Sequence, residues 1–173
     1  MPPRLLLPSR MPGLAGLDVP RDFYWVLSTP APLAGMAYPS WPARWTDMHA
    51  AGFRHVVCLV RDTFPYAPAP LNPLHAVGLA DLYGGLTPPD PAAEQAKIWA
   101  AAALAGERLA RGEGVVVHCA GGTGRTGTVI GCILRGLGFS AAEALDYLNR
   151  LHQSRGRDGW PESGWQATVV EGM

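Results

Sequence analysis

The sequence has almost no lysine, no net charge and no long apolar run. Lys97 is the only lysine among fourteen cationic residues, and fourteen acidic residues balance them to a formal charge of zero. Without a general basic field, the chain is not expected to bind nucleic acid or an anionic membrane. Prolines interrupt the apolar residues at its start, so no signal peptide is expected there, and the other apolar runs are too short to span a bilayer. These features predict a soluble, cytoplasmic protein.

Cysteine is also scarce, with three residues at scattered positions: Cys58, Cys119 and Cys132. An odd number without CxxC spacing predicts neither a disulfide framework nor a zinc site, and we expect no metal or other cofactor. Cys58 and Cys132 lie in apolar stretches and are expected in the core. Cys132 as a redox partner of Cys119 is a second hypothesis.

The 173 residues fit one domain, which we expect over residues 21–173 after an extended, proline-containing lead at residues 1–20. Hydrophobic patterning and capping signals alternate between the two kinds of secondary structure. Strands are predicted at 23–27, 33–37, 54–60, 74–79 and 115–117, and helices at 46–52, 91–111, 126–137 and 141–152. This order predicts an α/β fold with a central, mostly parallel sheet flanked by helices.

One segment carries chemistry: the strand Val115–Val117, then His118-Cys119, a glycine-rich loop, and Arg125 at the start of a helix. Such a loop directs several backbone N–H groups and the positive end of the helix dipole into one concavity, which suits an anion. The same field favours the thiolate form of Cys119. The planar fork of Arg125 can bind two phosphoryl oxygens at once.

This segment resembles the signature of the cysteine-dependent protein tyrosine phosphatase superfamily: His-Cys, five residues, Arg, then Ser or Thr and usually Gly. Further similarity, over 23–27 with 33–39, over 54–59, and over Leu74-His75 before Asp81, is to the small VHZ-type dual-specificity phosphatases, and the resemblance covers residues 23–166. The resemblance implies a dual-specificity phosphatase-like fold. It also implies hydrolysis of phosphomonoesters through a phosphocysteine intermediate.

The resemblance also assigns roles to individual residues. Cys119 corresponds to the nucleophile, Arg125 to the phosphate-binding arginine, and Thr126 to the hydroxyl that stabilises the departing thiolate. Asp81 corresponds to the general acid. Gln166 is similar to a glutamine near the family's active site. The remaining residues expected around the phosphate are His118, which we expect to orient the loop by hydrogen bonding, Ala120, Gly121, Gly122, Thr123 and Gly124.

The acid has a competitor in Asp90. An Asp-Pro pair before a helix is explained by its position as N-cap and first helical residue, whereas Asp81 has no such structural explanation. We therefore favour Asp81 and keep Asp90 as the alternative.

A dinucleotide-binding loop is a second alternative, because Gly122, Gly124 and Gly127 fit GxGxxG between a strand and a helix. That fingerprint needs an acidic residue about 20 positions later at the end of the next strand. Asp146 has the spacing but falls within a predicted helix, so we disfavour this interpretation.

The expected substrates are phosphorylated proteins, with phosphotyrosine first and phosphoserine or phosphothreonine as further candidates, and small aryl phosphates. The alternatives are an inositol-phosphate or phosphoinositide phosphatase on the same fold, and a phosphate-binding module without turnover. The uncharged loop residues favour phosphoprotein over polyanionic substrates. Trp160 and Trp165 either line the substrate mouth or belong to the core.

Overall fold

The computed structural model describes residues 3–7, 22–39 and 44–173. In these ranges five strands form one sheet in the order β1-β2-β5-β3-β4. The strands are β1 (Phe23–Leu27), β2 (Leu33–Met36), β3 (Phe53–Cys58), β4 (Asn72–Ala76) and β5 (Gly114–His118). β1 is antiparallel to β2, and the other neighbouring pairs are parallel. The predicted α/β fold with a mostly parallel central sheet is confirmed.

Helices cover both faces of the sheet. They are α1 (Trp45–Ala50), α2 (Pro91–Ala110), α3 (Gly124–Gly136), α4 (Ala141–Ser154) and α5 (Gly164–Glu171). Trp45 and Met48 of α1 pack with aromatic residues of β1 and β3 on one face. The apolar sides of the four other helices form a larger cluster on the opposite face. None of the helices in the described ranges is long and apolar enough to cross a membrane.

β5 lies at the centre of the sheet and is buried along its whole length. Val115 and Val117 face the larger cluster, and Val116 faces the smaller one, as the two-residue period of a strand requires. β2, β5 and β3 run in parallel, so their carboxyl ends meet at one edge of the sheet. In open α/β sheets ligands bind outside this edge, and here the glycine-rich loop after β5 emerges there.

Several predicted boundaries are wrong, and two of them have a clear local cause. The fourth strand spans Asn72–Ala76 instead of 74–79, and Pro73 is tolerated because β4 is an edge strand. The first helix begins at Trp45 with Arg44 as its N-cap residue, so Thr46 lies inside the helix. In the first turn of this helix Arg44 donates a hydrogen bond from Nε to Oδ2 of Asp47 at 2.5 Å.

Part of the predicted lead contacts the domain. Leu5 forms an isolated antiparallel bridge with Leu27, and the N–H of Leu6 donates to the Val26 carbonyl at 2.9 Å. The Leu6 side chain is buried, and its carbonyl accepts a 2.7 Å hydrogen bond from the Tyr147 hydroxyl. Residues 3–7 thus extend the edge of β1, and the rest of the lead lies outside the described residues.

Candidate active site

The loop that joins β5 to α3 turns its carbonyl groups away from its concave side. The Cys119 carbonyl accepts from Nδ1 of His118 at 3.1 Å, and the Ala120 carbonyl accepts from the N–H of Tyr38 at 2.8 Å. The Gly122 carbonyl accepts from the Tyr24 hydroxyl at 2.7 Å and from Arg155 at 3.2 Å. Each of these carbonyls is held by a donor from outside the loop or from its base.

This outward arrangement determines where the loop N–H groups point. In a trans peptide the C=O and the following N–H are antiparallel, so the N–H groups of Ala120, Gly121 and Thr123 face the concave side. No hydrogen-bond acceptor for them exists among the described residues. Together with the N-terminus of α3, these donors form an anion cradle with Cys119 at its base.

Gly122 is the residue that permits this turn. Its φ is +72°, and a Cβ atom there would lie 2.6 Å from the Met36 carbonyl carbon. The left-handed conformation and the contact with the β2 backbone both require glycine.

His118 supports the loop from below. It is fully buried, its Nδ1–H donates to the Cys119 carbonyl, and its Nε2 accepts from the Tyr66 hydroxyl. Burial lowers the pKa of His118 to about 4, so the ring is neutral at physiological pH. With both nitrogens occupied, His118 orients the loop and is not available as a base.

Arg125 and Asp81 meet at the mouth of the cradle. Arg125 occupies the first turn of α3, and its Nη2 lies 3.6 Å from Oδ2 of Asp81. The Asp81 side chain is 63% exposed, which leaves it free to contact a substrate. The sequence-predicted phosphate ligand and general acid are therefore brought together.

The loop that carries Asp81 is tied down on both sides. Before Asp81, the N–H of Ala80 donates to Oε1 of Glu94 on α2 at 2.7 Å. After it, the Leu86 carbonyl accepts a 2.6 Å hydrogen bond from the hydroxyl of Ser163, the N-cap residue of α5. Asp81 also accepts from the N–H of Tyr83 at 3.1 Å. Residues 80–86, called the acid loop because Asp81 is the predicted general acid, are thus tied to α2 and to the start of α5.

Thr126 follows Arg125 in the first turn of α3 and is fully buried. Its hydroxyl has no hydrogen-bond partner among the described residues. An uncommitted hydroxyl in the turn that follows the Cys119 loop can donate to a thiolate, as the family resemblance implies.

Gln166 lies beside the cradle, and its side chain caps the start of α5. Its Oε1 accepts from the N–H groups of Glu162 and Ser163, at 2.9 and 3.3 Å, in the capping box of α5. Its Nε2 lies 3.1 Å from the position that a Cβ atom on Gly124 would occupy. Gln166 therefore fixes the segment before α5 against the start of α3.

Glu162 is a site residue that the sequence analysis missed. Its carboxylate occupies the space where a Cβ atom on Gly124 would stand, so it lies directly against the first residue of α3. Burial raises the pKa of Glu162, the nearby Asp81 raises it further, and Arg125 opposes both effects. The site thus holds two carboxyl groups, of Asp81 and Glu162, near the guanidinium of Arg125. The one sequence signal close to Glu162 was the capping box of Ser163 and Gln166, which directly follows it.

Three further residues that the sequence analysis missed form the rear of the loop: Tyr24, His152 and Arg155. The Arg155 guanidinium lies 4.1 Å from the Tyr24 ring centroid, and its Nη1 donates to Nδ1 of His152 at 2.8 Å. Burial lowers the pKa of His152 to about 3, so this ring accepts as a neutral group.

The structure places the residues of the alternative interpretations as follows. Oδ1 of Asp90 accepts from the N–H of Ala93 at 3.1 Å, as expected of the N-cap of α2. Asp146 lies on α4 and pairs with Arg150 at 3.4 Å, so the acidic residue of a dinucleotide site is not at a strand end.

Cys132 faces α5 from the middle of α3, and burial raises its pKa to about 12. Such a thiol is a poor redox partner.

A groove of about 490 Å³ continues from the acid loop along the segment before α5. Its walls include Tyr83, Trp160 and the carboxylates of Asp158 and Glu162. Trp160 is itself buried and donates from Nε1 to the Gly124 carbonyl at 3.3 Å, so it supports α3 as well as the groove. In the described ranges no group of three or more His, Cys, Asp or Glu side chains could hold a metal ion.

The family model for the phosphatase domain of the DSP-PTPase type in Swiss Army Knife proteins, PTP-SAK, matches residues 20–159. The chain belongs to this family. It is a cysteine-based phosphatase, and the match contains the cradle, Arg125 and Asp81. Membership of the PTP-SAK family thus identifies the loop described above as part of a phosphatase domain.

Solved structures of related phosphatases share the fold. Tk-PTP in its active form is 27% identical, with a TM-score of 0.59 over 81% of this chain and 89% of that one. PTPMT1 in complex with PI(5)P is 18% identical, with a TM-score of 0.55 over 81% and 88%. TpbA of P. aeruginosa in complex with pTyr is 17% identical, with a TM-score of 0.53 over 90% and 92%. The last two show similarity of fold alone.

Proposed function

We propose that this PTP-SAK domain is a phosphomonoesterase that acts on phosphotyrosine in proteins and on small aryl phosphates. The reaction proceeds through a phosphocysteine intermediate. The observation that carries the proposal is the cradle: Cys119 lies below inward-facing N–H groups, with Arg125 and Asp81 at the mouth. Donors fixed before the reaction stabilise the charge that develops on the phosphoryl oxygens.

The proposed reaction has two steps. The Cys119 thiolate attacks phosphorus, the bond to the ester oxygen breaks, and protonated Asp81 gives its proton to that oxygen. Water then attacks the phosphocysteine, Asp81 takes a proton from the water, and phosphate leaves while Thr126 donates to the returning thiolate. Arg125 binds two phosphoryl oxygens in both steps.

A second carboxyl group lies beside these residues. The Glu162 carboxylate occupies the space next to Gly124, at the start of the helix that carries Arg125. Burial and the neighbouring Asp81 raise its pKa, whereas Arg125 lowers it. Both proton transfers of the proposed reaction are assigned to Asp81.

Exposed aromatic side chains favour an aromatic or peptide substrate. Tyr38, whose N–H holds the Ala120 carbonyl, is 42% exposed, and Tyr83, whose N–H bonds to Asp81, is 71% exposed. They flank the cradle from two sides. Among the proteins that share the fold, TpbA was solved in complex with pTyr and PTPMT1 in complex with PI(5)P, so both substrate classes enter the test below. We also retain the expectation of a small VHZ-type cytoplasmic enzyme whose catalytic domain spans residues 21–173.

A turnover screen tests this proposal. It compares a phosphotyrosine peptide, phosphoserine and phosphothreonine peptides, p-nitrophenyl phosphate, PI(5)P and inositol hexakisphosphate, with Cys119→Ser as the matched inactive variant. We expect aryl phosphates and phosphotyrosine to be hydrolysed fastest, and mass spectrometry of acid-quenched enzyme to find phosphate on Cys119. Faster release from PI(5)P would favour a phosphoinositide phosphatase. Turnover by Cys119→Ser within tenfold of wild type would rule out the covalent mechanism.

A further inference from the structure

Arg155 lies behind the catalytic loop, on the side away from the substrate. It is the C-cap residue of α4, and only 5% of it is exposed. Its Nη1 lies 3.2 Å from the Gly122 carbonyl and 3.4 Å from Oγ1 of Thr123. A buried guanidinium therefore contacts two consecutive residues of the anion cradle.

Tyr24 reaches the same carbonyl from the sheet. Its ring crosses Gly35 of β2, where a Cβ atom would collide with the ring, and its hydroxyl donates to the Gly122 carbonyl at 2.7 Å. The Arg155 guanidinium stacks over this ring at 4.1 Å. The two donors belong to elements far apart in the chain and converge on one oxygen atom.

Fixing that oxygen fixes a catalytic donor. The Gly122 carbonyl and the Thr123 N–H belong to one peptide plane and point in opposite directions. If the carbonyl rotated into the cradle, an acceptor would replace a donor beside the phosphoryl oxygens. Glycine at position 122 makes such a rotation easy, because it adopts left-handed and right-handed conformations alike.

We propose that Arg155, with Tyr24, is a positioning residue that holds the Gly122–Thr123 peptide in its anion-binding orientation. The inference rests on the proposed function, because it assigns a role within the same site. Arg155 acts through the loop and does not touch the substrate.

Arg155 keeps its charge although the side chain is buried. Burial lowers its pKa and Arg157 lowers it too, whereas electrostatic interactions with Tyr24, Cys119 and Asp22 raise it. A guanidinium remains charged even when buried, so Arg155 donates charge-assisted hydrogen bonds to the loop.

Three variants separate hydrogen bonding from charge. Arg155→Met removes both and keeps an unbranched side chain, Arg155→Lys keeps the charge, and Tyr24→Phe removes a single hydroxyl. Arg135→Met is the matched control, because Arg135 also donates to two backbone carbonyls, of Phe139 and Met173, at 2.8 and 3.1 Å, but at the far end of α3. The full chain is used throughout, with thermal unfolding as a measure of folding.

The first readout is the Kd for vanadate, measured by calorimetry. We expect Arg155→Met to weaken binding at least tenfold and Tyr24→Phe three- to tenfold, with Arg135→Met within twofold of wild type. The second readout is kcat for p-nitrophenyl phosphate, which should fall in Arg155→Met and Tyr24→Phe and stay within twofold of wild type in Arg135→Met. Arg155→Lys keeps the charge and should lose less than Arg155→Met in both readouts.

Unchanged vanadate affinity in folded Arg155→Met and in Tyr24→Phe would overturn the inference. If Arg155→Met does not fold, unchanged affinity in Tyr24→Phe overturns it on its own. A wild-type chain that binds vanadate but hydrolyses no phosphomonoester contradicts the proposed function and leaves this binding test intact. A wild-type chain that binds no vanadate contradicts both.

Discussion

The carboxylate of Asp81 lies 3.6 Å from the guanidinium of Arg125, although the two residues belong to different elements. Because Asp81 is largely exposed, this pair adds little to stability. Its importance is geometric, since it places the proposed proton donor, Asp81, beside Arg125, the group that is proposed to bind the phosphate. Two substitutions test that arrangement.

Asp81→Asn should slow hydrolysis of phosphotyrosine and alkyl phosphates far more than hydrolysis of an activated nitrophenyl ester. General acid catalysis contributes about 10² to 10⁴ in rate, and its contribution grows as the leaving group becomes more basic. The control is Asp90→Asn, because asparagine caps α2 about as well as aspartate. Steady-state kinetics over a series of aryl phosphates measures both. A leaving-group-dependent loss in Asp90→Asn alone would transfer the role of acid to Asp90.

Glu94→Ala should reproduce part of the Asp81→Asn defect without touching the site. Glu94 is buried and accepts from the N–H of Ala80 at 2.7 Å, so its loss frees the start of the acid loop. We expect kcat for phosphotyrosine to fall about tenfold, since a misplacement of 1 Å can cost a factor of 10². The nitrophenyl ester should be affected less. Glu94→Gln keeps an acceptor and should retain most activity, and equal losses in both variants would contradict this positioning role.

The segment from β5 to α3 shows what could be predicted from the sequence. Three consecutive valines predict a buried strand, glycines predict the tight loop, and the spacing of Cys119 and Arg125 fixes their relation across it. These are local relations within a few residues of chain. Asp81 could be chosen over Asp90 because the helix cap already explained Asp90.

The rear of the loop could not be predicted in this way. Tyr24 lies in an aromatic and apolar run that looks like ordinary core sequence, and Arg155 follows a helix end, where any arginine is favoured by the dipole. Only the tertiary fold brings these two residues to the Gly122 carbonyl. α5 was not predicted, although Ser163 and Gln166 form a capping box at its start. Its β-branched residues Thr168, Val169 and Val170 lower the helix propensity of this short segment.

Glu162 should titrate at lower pH when Asp81 loses its charge. Burial is the largest cause of its raised pKa, and the negative charge of Asp81 is the next. Asp81→Asn removes that negative charge, so the pKa of Glu162 should decrease. Carboxyl ¹³C NMR of selectively labelled glutamate measures this shift. Asp90→Asn provides the control, and an equal shift in both variants, or none in Asp81→Asn, would show that the two carboxyl groups are not neighbours.

Gly122→Ala should destabilise the protein and abolish the cradle, whereas Gly121→Ala should be tolerated by the fold. At Gly122 the φ of +72° costs a non-glycine residue about 1 to 2 kcal/mol, and the new Cβ atom would also press on the Met36 backbone at 2.6 Å. For a chain of this size, a loss of 1 kcal/mol lowers Tm by about 2 to 4 °C, so we expect a decrease of at least about 4 °C. A Cβ atom on Gly121 has no neighbour within 4 Å and should leave Tm nearly unchanged.

Calorimetric unfolding compares the two variants. Vanadate binding by Gly122→Ala should be lost because the Thr123 N–H can no longer face the anion. A Gly122→Ala protein with wild-type Tm and wild-type vanadate affinity would show that the loop can adopt another backbone path and still bind the anion.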